Sequence, residues 1–156
     1  GGVSWSEADV IDDWGDDRAR KEARKRDREG SWRALVDSAE WDPDICGRWA
    51  FLDAIGFRYY LAPTMVRCAR TKDAEELGMI CFSLTQEDEA HPDQRWSRLD
   101  DRQRVCVARF LAFMDRLELA WLRERYPDEP WEWDGTTKHS KTDWSKALDS
   151  YWRQFL

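Results

Sequence analysis

Beyond residue 100 the apolar positions Val105, Ala108, Leu111, Met114, Leu117 and Trp121 recur at three- and four-residue steps, the period of one helical face. This predicts a long helix from about Asp100 to Arg125, stopped by Pro127 and Pro130, as the spine of the fold. Past an irregular aromatic connection, Trp131-Glu-Trp133-Asp-Gly135, Thr142 is placed to cap a terminal helix. Its Trp144, Leu148, Tyr151 and Phe155 define one packing face. The N-terminal pattern is less regular. Ser6 and Asp9 have the spacing of an N-cap and N3 pair, and Trp5, Val10, Ile11 and Trp14 form a short apolar stripe, with Gly15 as a break point. Residues 18–28 hold almost no apolar side chain, so residues 1–30 read as a charged N-terminal helix or arm whose second half is a solvated extension.

Between these ends the elements are short. Ser31 caps a helix carrying Trp32, Leu35 and Val36, and Asp44 starts another with Ile45, Trp49 and Leu52, closed by Gly56 as a C-terminal cap. Phe57 to Leu61 reads as extended or as a tight corner, with Pro63 opening a further helix through Arg70. Met79 to Leu84 (MICFSL) is the clearest strand, and Glu87 to Gln94, interrupted by Pro92, is a loop. The expected fold is mainly α (α+β): an irregular helical bundle around one long helix with a small strand element. A length of 156 residues fits one globular domain, 1–156.

Composition narrows the function. Eleven Trp, six Phe and four Tyr supply large buried areas, while 37% charged residues and a mean hydropathy of -0.84 describe an ionic surface. No apolar run approaches the roughly 18 residues of a membrane helix, and the acidic start lacks the apolar stretch of a secretory signal. A net charge of -7 argues against nucleic acid or an anionic membrane as ligand, since both need clustered Lys and Arg. It permits a basic protein partner. Cys46, Cys68, Cys81 and Cys106 are far apart and each stands among apolar neighbours, so buried reduced thiols in a cytoplasmic compartment are expected, with no metal and no cofactor.

Catalytic signatures are scarce. There is no phosphate-cradling glycine loop, GxSxG elbow or HExxH, and only His91 and His139 offer a histidine base, both in polar, loop-like contexts. Cys68 lies beside Arg67 and Arg70, which can activate a thiol, but its position reads as helical core. The acid sets Asp12, Asp13, Asp16, Asp17 and Glu87, Asp88, Glu89 lack the ligand spacing of a calcium loop. They suit the steering of a basic partner better. Trp131 and Trp133 fall outside any periodic pattern and are candidate anchors for such a partner, whereas Trp49, Trp121, Trp144 and Trp152 are core by default.

Asp53 to Arg70, Asp-Ala-Ile-Gly-Phe-Arg-Tyr-Tyr-Leu-Ala-Pro-Thr-Met-Val-Arg-Cys-Ala-Arg, resembles the hallmark of a largely bacterial family of uncharacterised small proteins whose members carry LD-x-x-GFRFYLPAYM-x-x-x-LR. Ser31-Trp32-Arg33, Arg109-Phe-Leu-Ala-Phe-Met114 and Tyr151-Trp152 extend the likeness over most of the chain after residue 30. Here the proline of the hallmark is displaced by one position, to Pro63. The resemblance implies no activity, catalytic residue or cofactor. Read physically, Gly56 turns the chain, Phe57, Tyr60 and Leu61 are buried, and Arg58 forks onto a carboxylate such as Asp53. Together these features favour a non-catalytic protein-binding protein, of the immunity or antitoxin type, that neutralises a basic toxin. The alternative is an enzyme or small-ligand binder using Arg58, Tyr59 and nearby carboxylates.

Overall fold

A computed structural model describes residues 2–27, 30–43, 47–71, 78–86, 93–128 and 142–156. Among them all regular structure is helical. The chain forms two compact units, one built from residues 1–70 and 93–99, the other from 71–92 and 100–156.

In the first unit, α1 (Trp5–Asp12) begins at Ser4, two residues before the expected cap. Glu7 at N3 accepts from the Ser4 amide at 3.3 Å, as in a capping box. α2 (Asp17–Arg24) starts at Asp16, whose carboxylate accepts from the Ala19 amide at 2.8 Å. The solvated extension expected at 18–28 is thus in part a helix packed on α1. It buries little more than Ala23. What holds it is charge: Arg20 and Arg24 each donate to the buried Glu7, at 3.0 and 2.9 Å. Such attraction went unseen because a helix without an apolar stripe offers no periodicity.

Short helices α3 (Arg33–Val36) and α4 (Arg48–Phe51) follow, the latter after Gly47 at φ +96°. Then α5 (Ala54–Thr71) runs as one helix through its own proline, correcting the extended 57–61 segment. Pro63 lacks the amide that would bond the Tyr59 carbonyl, normally a cost of about 3 kcal/mol. Burial of Phe57, Tyr60, Leu61, Thr64 and Cys68 along this helix outweighs it. Gly56 is in the first turn of α5, not a C-terminal cap, and the Asp53 carboxylate accepts from its amide at 2.8 Å and from Val3 at 2.9 Å. A Cβ on Gly56 would stand 2.2 Å from the Val3 carbonyl, so glycine is required for close approach and not for a turn. A 3₁₀ turn, Gln94–Arg98, completes the unit.

The second unit starts with α6 (Gly78–Ser83), where a strand is expected. Ile80, Cys81, Ser83 and Leu84 are buried and Phe82 is 60% exposed, a spacing that follows a helical turn and not alternation. A short continuous apolar run carries no period that tells helix from strand. Among the described residues no strand exists to pair with it, and the backbone bonds within itself, as in Leu84 amide to Ile80 carbonyl at 3.0 Å.

The long helix α7 (Asp101–Arg125) and the terminal α8 (Asp143–Ser150) match their periodicity. Asp100 and Gln103 form a reciprocal capping box at 2.9 and 3.0 Å, and Thr142 accepts from the Ser145 amide at 3.0 Å. Val107, Ala108, Phe110, Leu111 and Met114 are buried. Trp121, expected in the core, is instead 44% exposed, because full burial along α7 is confined to residues 107–114. Cys106 is likewise exposed, whereas Cys68 and Cys81 are buried thiols; Cys46 lies outside the described residues.

Candidate functional site

Both candidate sites that the described residues contain lie in the first unit. One is the turn joining α1 to α2, Asp12-Asp13-Trp14-Gly15-Asp16-Asp17. α1 ends in a Schellman motif: the Trp14 amide donates to the Ile11 carbonyl at 3.1 Å and the Gly15 amide to the Val10 carbonyl at 2.7 Å. The left-handed position of that motif usually belongs to glycine, yet here it is Trp14, at φ +58°. Glycine stands one residue later, where a Cβ would come within 2.3 Å of Val10 Cγ1. A side chain other than glycine in this conformation costs about 1–2 kcal/mol. No burial offsets it, since Trp14 is 95% exposed.

The expectation that Trp14 belongs to the apolar stripe of the first helix is therefore corrected. The acids around it are exposed: Asp12, Asp13, Asp16 and Asp17. Asp16 also caps α2, and Asp17 stands 3.8 Å from Arg20. The turn thus presents one large flat apolar ring, ready to bury, inside a rim of negative charge.

The other site is a cavity of 310 Å³ where residues 2–4 cross the first turns of α5. Tyr59 and Tyr60 line it with Arg24 and Asp27. Tyr59 donates to the Gly30 carbonyl at 3.1 Å, and Tyr60 accepts from the Trp5 amide at 2.9 Å. Burial, with the nearby Asp27 charge, raises the Tyr59 pKa, and burial pushes Tyr60 up to about 12. Both are neutral phenols at ordinary pH, suited to hydrogen bonding and not to acting as bases. Arg58, expected beside Tyr59 in a ligand pocket, is exposed and is not part of the lining. Nor does it fork onto Asp53, which caps α5 instead. The cavity lining includes no histidine or cysteine.

Glu87, Asp88, Glu89, Trp131 and Trp133, with His91 and His139, lie outside the described residues. Among the described residues no group of three or more His, Cys, Asp or Glu is placed to hold a metal ion, and no helix is long and apolar enough to cross a membrane. Beside Cys68, Arg67 donates to the Trp41 carbonyl and, at 2.6 Å, to the Ser38 carbonyl, while Arg70 pairs with Asp37 at 2.7 Å. These arginines act as clamps on the 37–41 segment.

A family of unknown function, DUF6714, matches residues 1–156, both units included. The chain belongs to that family. No curated protein and no solved structure matches this DUF6714 chain. Within it, the segment resembling the small-protein hallmark is α5 with its Asp53 cap, so its Gly, Phe, Tyr and Leu positions are explained by packing. Trp14, by contrast, has no packing explanation. Its signal in the sequence is local: a tryptophan flanked on both sides by acid pairs and followed by glycine.

Proposed function

We propose that this DUF6714 protein is a non-catalytic protein-binding protein, of the immunity or antitoxin type, acting in a bacterial cytoplasm by masking the basic surface of a toxin. The observation that carries the reading is Trp14, a fully displayed ring held in a conformation that costs stability and gains no intramolecular contact. Tryptophan is one of the residue types enriched among interface hot spots. Exposed acids around it favour encounter with a positively charged surface, and the net charge of -7 acts in the same direction.

The test is capture from the host with the full chain as bait, followed by kinetics on what is captured. A basic protein should bind the natural chain and be lost with Trp14→Gly, chiefly through faster dissociation, by about 2 kcal/mol or more. Asp13→Lys with Asp17→Lys should chiefly slow association and weaken its salt dependence. A captured protein indifferent to both sets of substitutions would exclude this turn as the interface.

A further inference from the structure

The outward face of α7 carries a repeat. Arg102, Arg109, Arg116 and Arg123 stand at seven-residue steps along this helix, and all four are exposed. At a rise of about 1.5 Å per residue they form a row with steps of roughly 10 Å, on the side of the helix opposite to the buried Val107, Leu111 and Met114. A solvated helix face ordinarily mixes signs, each basic side chain meeting an acid three or four residues away. Arg104, on another side of α7, does so, pairing with Asp101 at 3.4 Å.

The row does not. At three and four residues from its arginines, α7 holds Val105, Cys106, Ala112, Phe113, Leu119 and Ala120, and not one of the six is buried. Asp101, Asp115 and Glu124 adjoin arginines of the row in sequence, but adjacent residues of a helix do not face each other. Two of these acids are also engaged elsewhere, Asp101 by Arg104 and Asp115 by the Thr142 hydroxyl at 2.6 Å. Among the described residues, none of the four arginines forms an ion pair or a side-chain hydrogen bond. In a chain with 32 acids against 25 basic residues, a row of one positive sign runs against composition. It alternates with shallow apolar positions, the pattern of a docking face and not of a solvated one.

The chemistry of the row selects its occupant. Arginine at every step, with no lysine, presents planar forks matched to carboxylate or phosphate. A nucleic-acid backbone would leave the apolar positions in water, and the net charge of -7 opposes its approach. A second copy offering the same face would set arginine against arginine. A helix with an acid at every seventh residue matches the row step for step, and its apolar residues enter the places between arginines as knobs enter holes in a coiled coil. We propose that this face of α7 docks an acidic amphipathic helix of a partner protein, whose carboxylates accept from Arg102, Arg109, Arg116 and Arg123 while its apolar side chains pack onto Cys106, Phe113 and Ala120. The surface belongs to the second unit and shares no residue with the Trp14 turn, so it goes beyond the protein-binding reading above.

The probe is a labelled peptide of four heptads with glutamate at the first and leucine at the fourth position of each, titrated with the full chain and followed by fluorescence anisotropy at low and physiological salt. A peptide of the same composition with its spacing scrambled and a DNA duplex are the controls. The heptad peptide should bind about tenfold more tightly than either control, and more weakly as salt is added. Arg109→Glu with Arg116→Glu should weaken that binding about tenfold or more, while the exposed positions leave the melting temperature unchanged. A peptide with lysine in place of glutamate should then bind this variant and not the natural chain. Trp14→Gly should leave peptide binding intact, and the double arginine variant should still capture any basic protein that the natural chain captures, so each reading can fail alone. Three results would each overturn the proposal: no binding at about 1 mM peptide; equal or tighter binding of the scrambled peptide or the duplex; or full affinity in the folded Arg109→Glu, Arg116→Glu variant.

Discussion

The first unit closes its interior with rings and guanidinium groups, the second with aliphatic side chains. In the first, Trp5, Trp41, Trp49, Trp96, Phe57 and Tyr60 are buried, and arginines lie over three of those rings: Arg48 on Trp5 at 5.7 Å, Arg67 on Trp41 at 5.5 Å, Arg95 on Phe57 at 5.7 Å. In the second, Ile80, Leu84, Val107, Leu111, Met114 and Leu148 fill the space around three rings, Phe110, Trp144 and Trp152. An aliphatic interior is stabilised by burial alone, which is non-directional. An interior of rings and arginines also depends on hydrogen-bond geometry and charge, so it packs less completely and leaves room for cavities. Both candidate sites fall in the unit built that way.

The largest effect expected is in the second unit. Leu111 is wholly buried at the centre of α7, and Leu111→Ala should destabilise by about 2–5 kcal/mol in urea titration. Its loss should not change with added salt, because no charge is involved. A cost below about 0.5 kcal/mol would mean that the interior around α7 is not close-packed.

Glu7→Gln is the counterpart in the first unit. It removes the charge that Arg20 and Arg24 share, and since both arginines are partly exposed the expected loss is about 1–3 kcal/mol. Here salt should matter: near 1 M, where screening acts over about 3 Å, the difference between variant and natural chain should shrink. Equal salt response in Glu7→Gln and Leu111→Ala would erase the proposed contrast between the two interiors.

Trp14→Gly should act in the opposite direction. Glycine adopts φ +58° without strain, so the variant should be more stable by about 1 kcal/mol while losing its partner. A destabilised Trp14→Gly would show that the ring makes a contact within the folded chain and would remove the argument for display.

The contrast also governs what could be read in advance. α7 and α8 were legible because their apolar residues repeat at helical steps between recognisable caps, Asp100 with Gln103 and Thr142. α5 was not, because Gly56 and Pro63 are ordinarily stops, and only burial by distant residues keeps the helix running through them. The run at 79–84 failed for lack of any period. Of the candidate site residues, the acids at 12, 13, 16 and 17 are exposed, and the Trp14 they flank, which the sequence pattern places in the apolar stripe of the first helix, is exposed with them. Trp5 and Trp41, 36 positions apart by numbering, meet ring to ring at 5.8 Å, a proximity that no local pattern encodes.

The smallest effect expected concerns Asp93, which caps the Gln94–Arg98 turn and is held by Arg95 through its main-chain amide at 2.8 Å and its guanidinium. Arg95 in turn reaches the Trp49 carbonyl at 3.0 Å, tying the turn to the aromatic interior. Burial alone would raise the Asp93 pKa, but the Arg95 hydrogen bonds and charge outweigh it and lower the value below the ordinary one. A carboxylate with a depressed folded pKa contributes stability that is present above its unfolded pKa, roughly 3.9, and is lost as pH falls through the folded value. Asp93→Asn should therefore be less stable than the natural chain at neutral pH by about 0.5 kcal/mol, a partly exposed pair being worth little. The two unfolding curves should converge as the pH drops below about 4. A difference that persists unchanged into acid would assign the loss to packing of the side chain and not to its charge, and would leave the first unit less dependent on electrostatics than its ring-and-arginine interior requires.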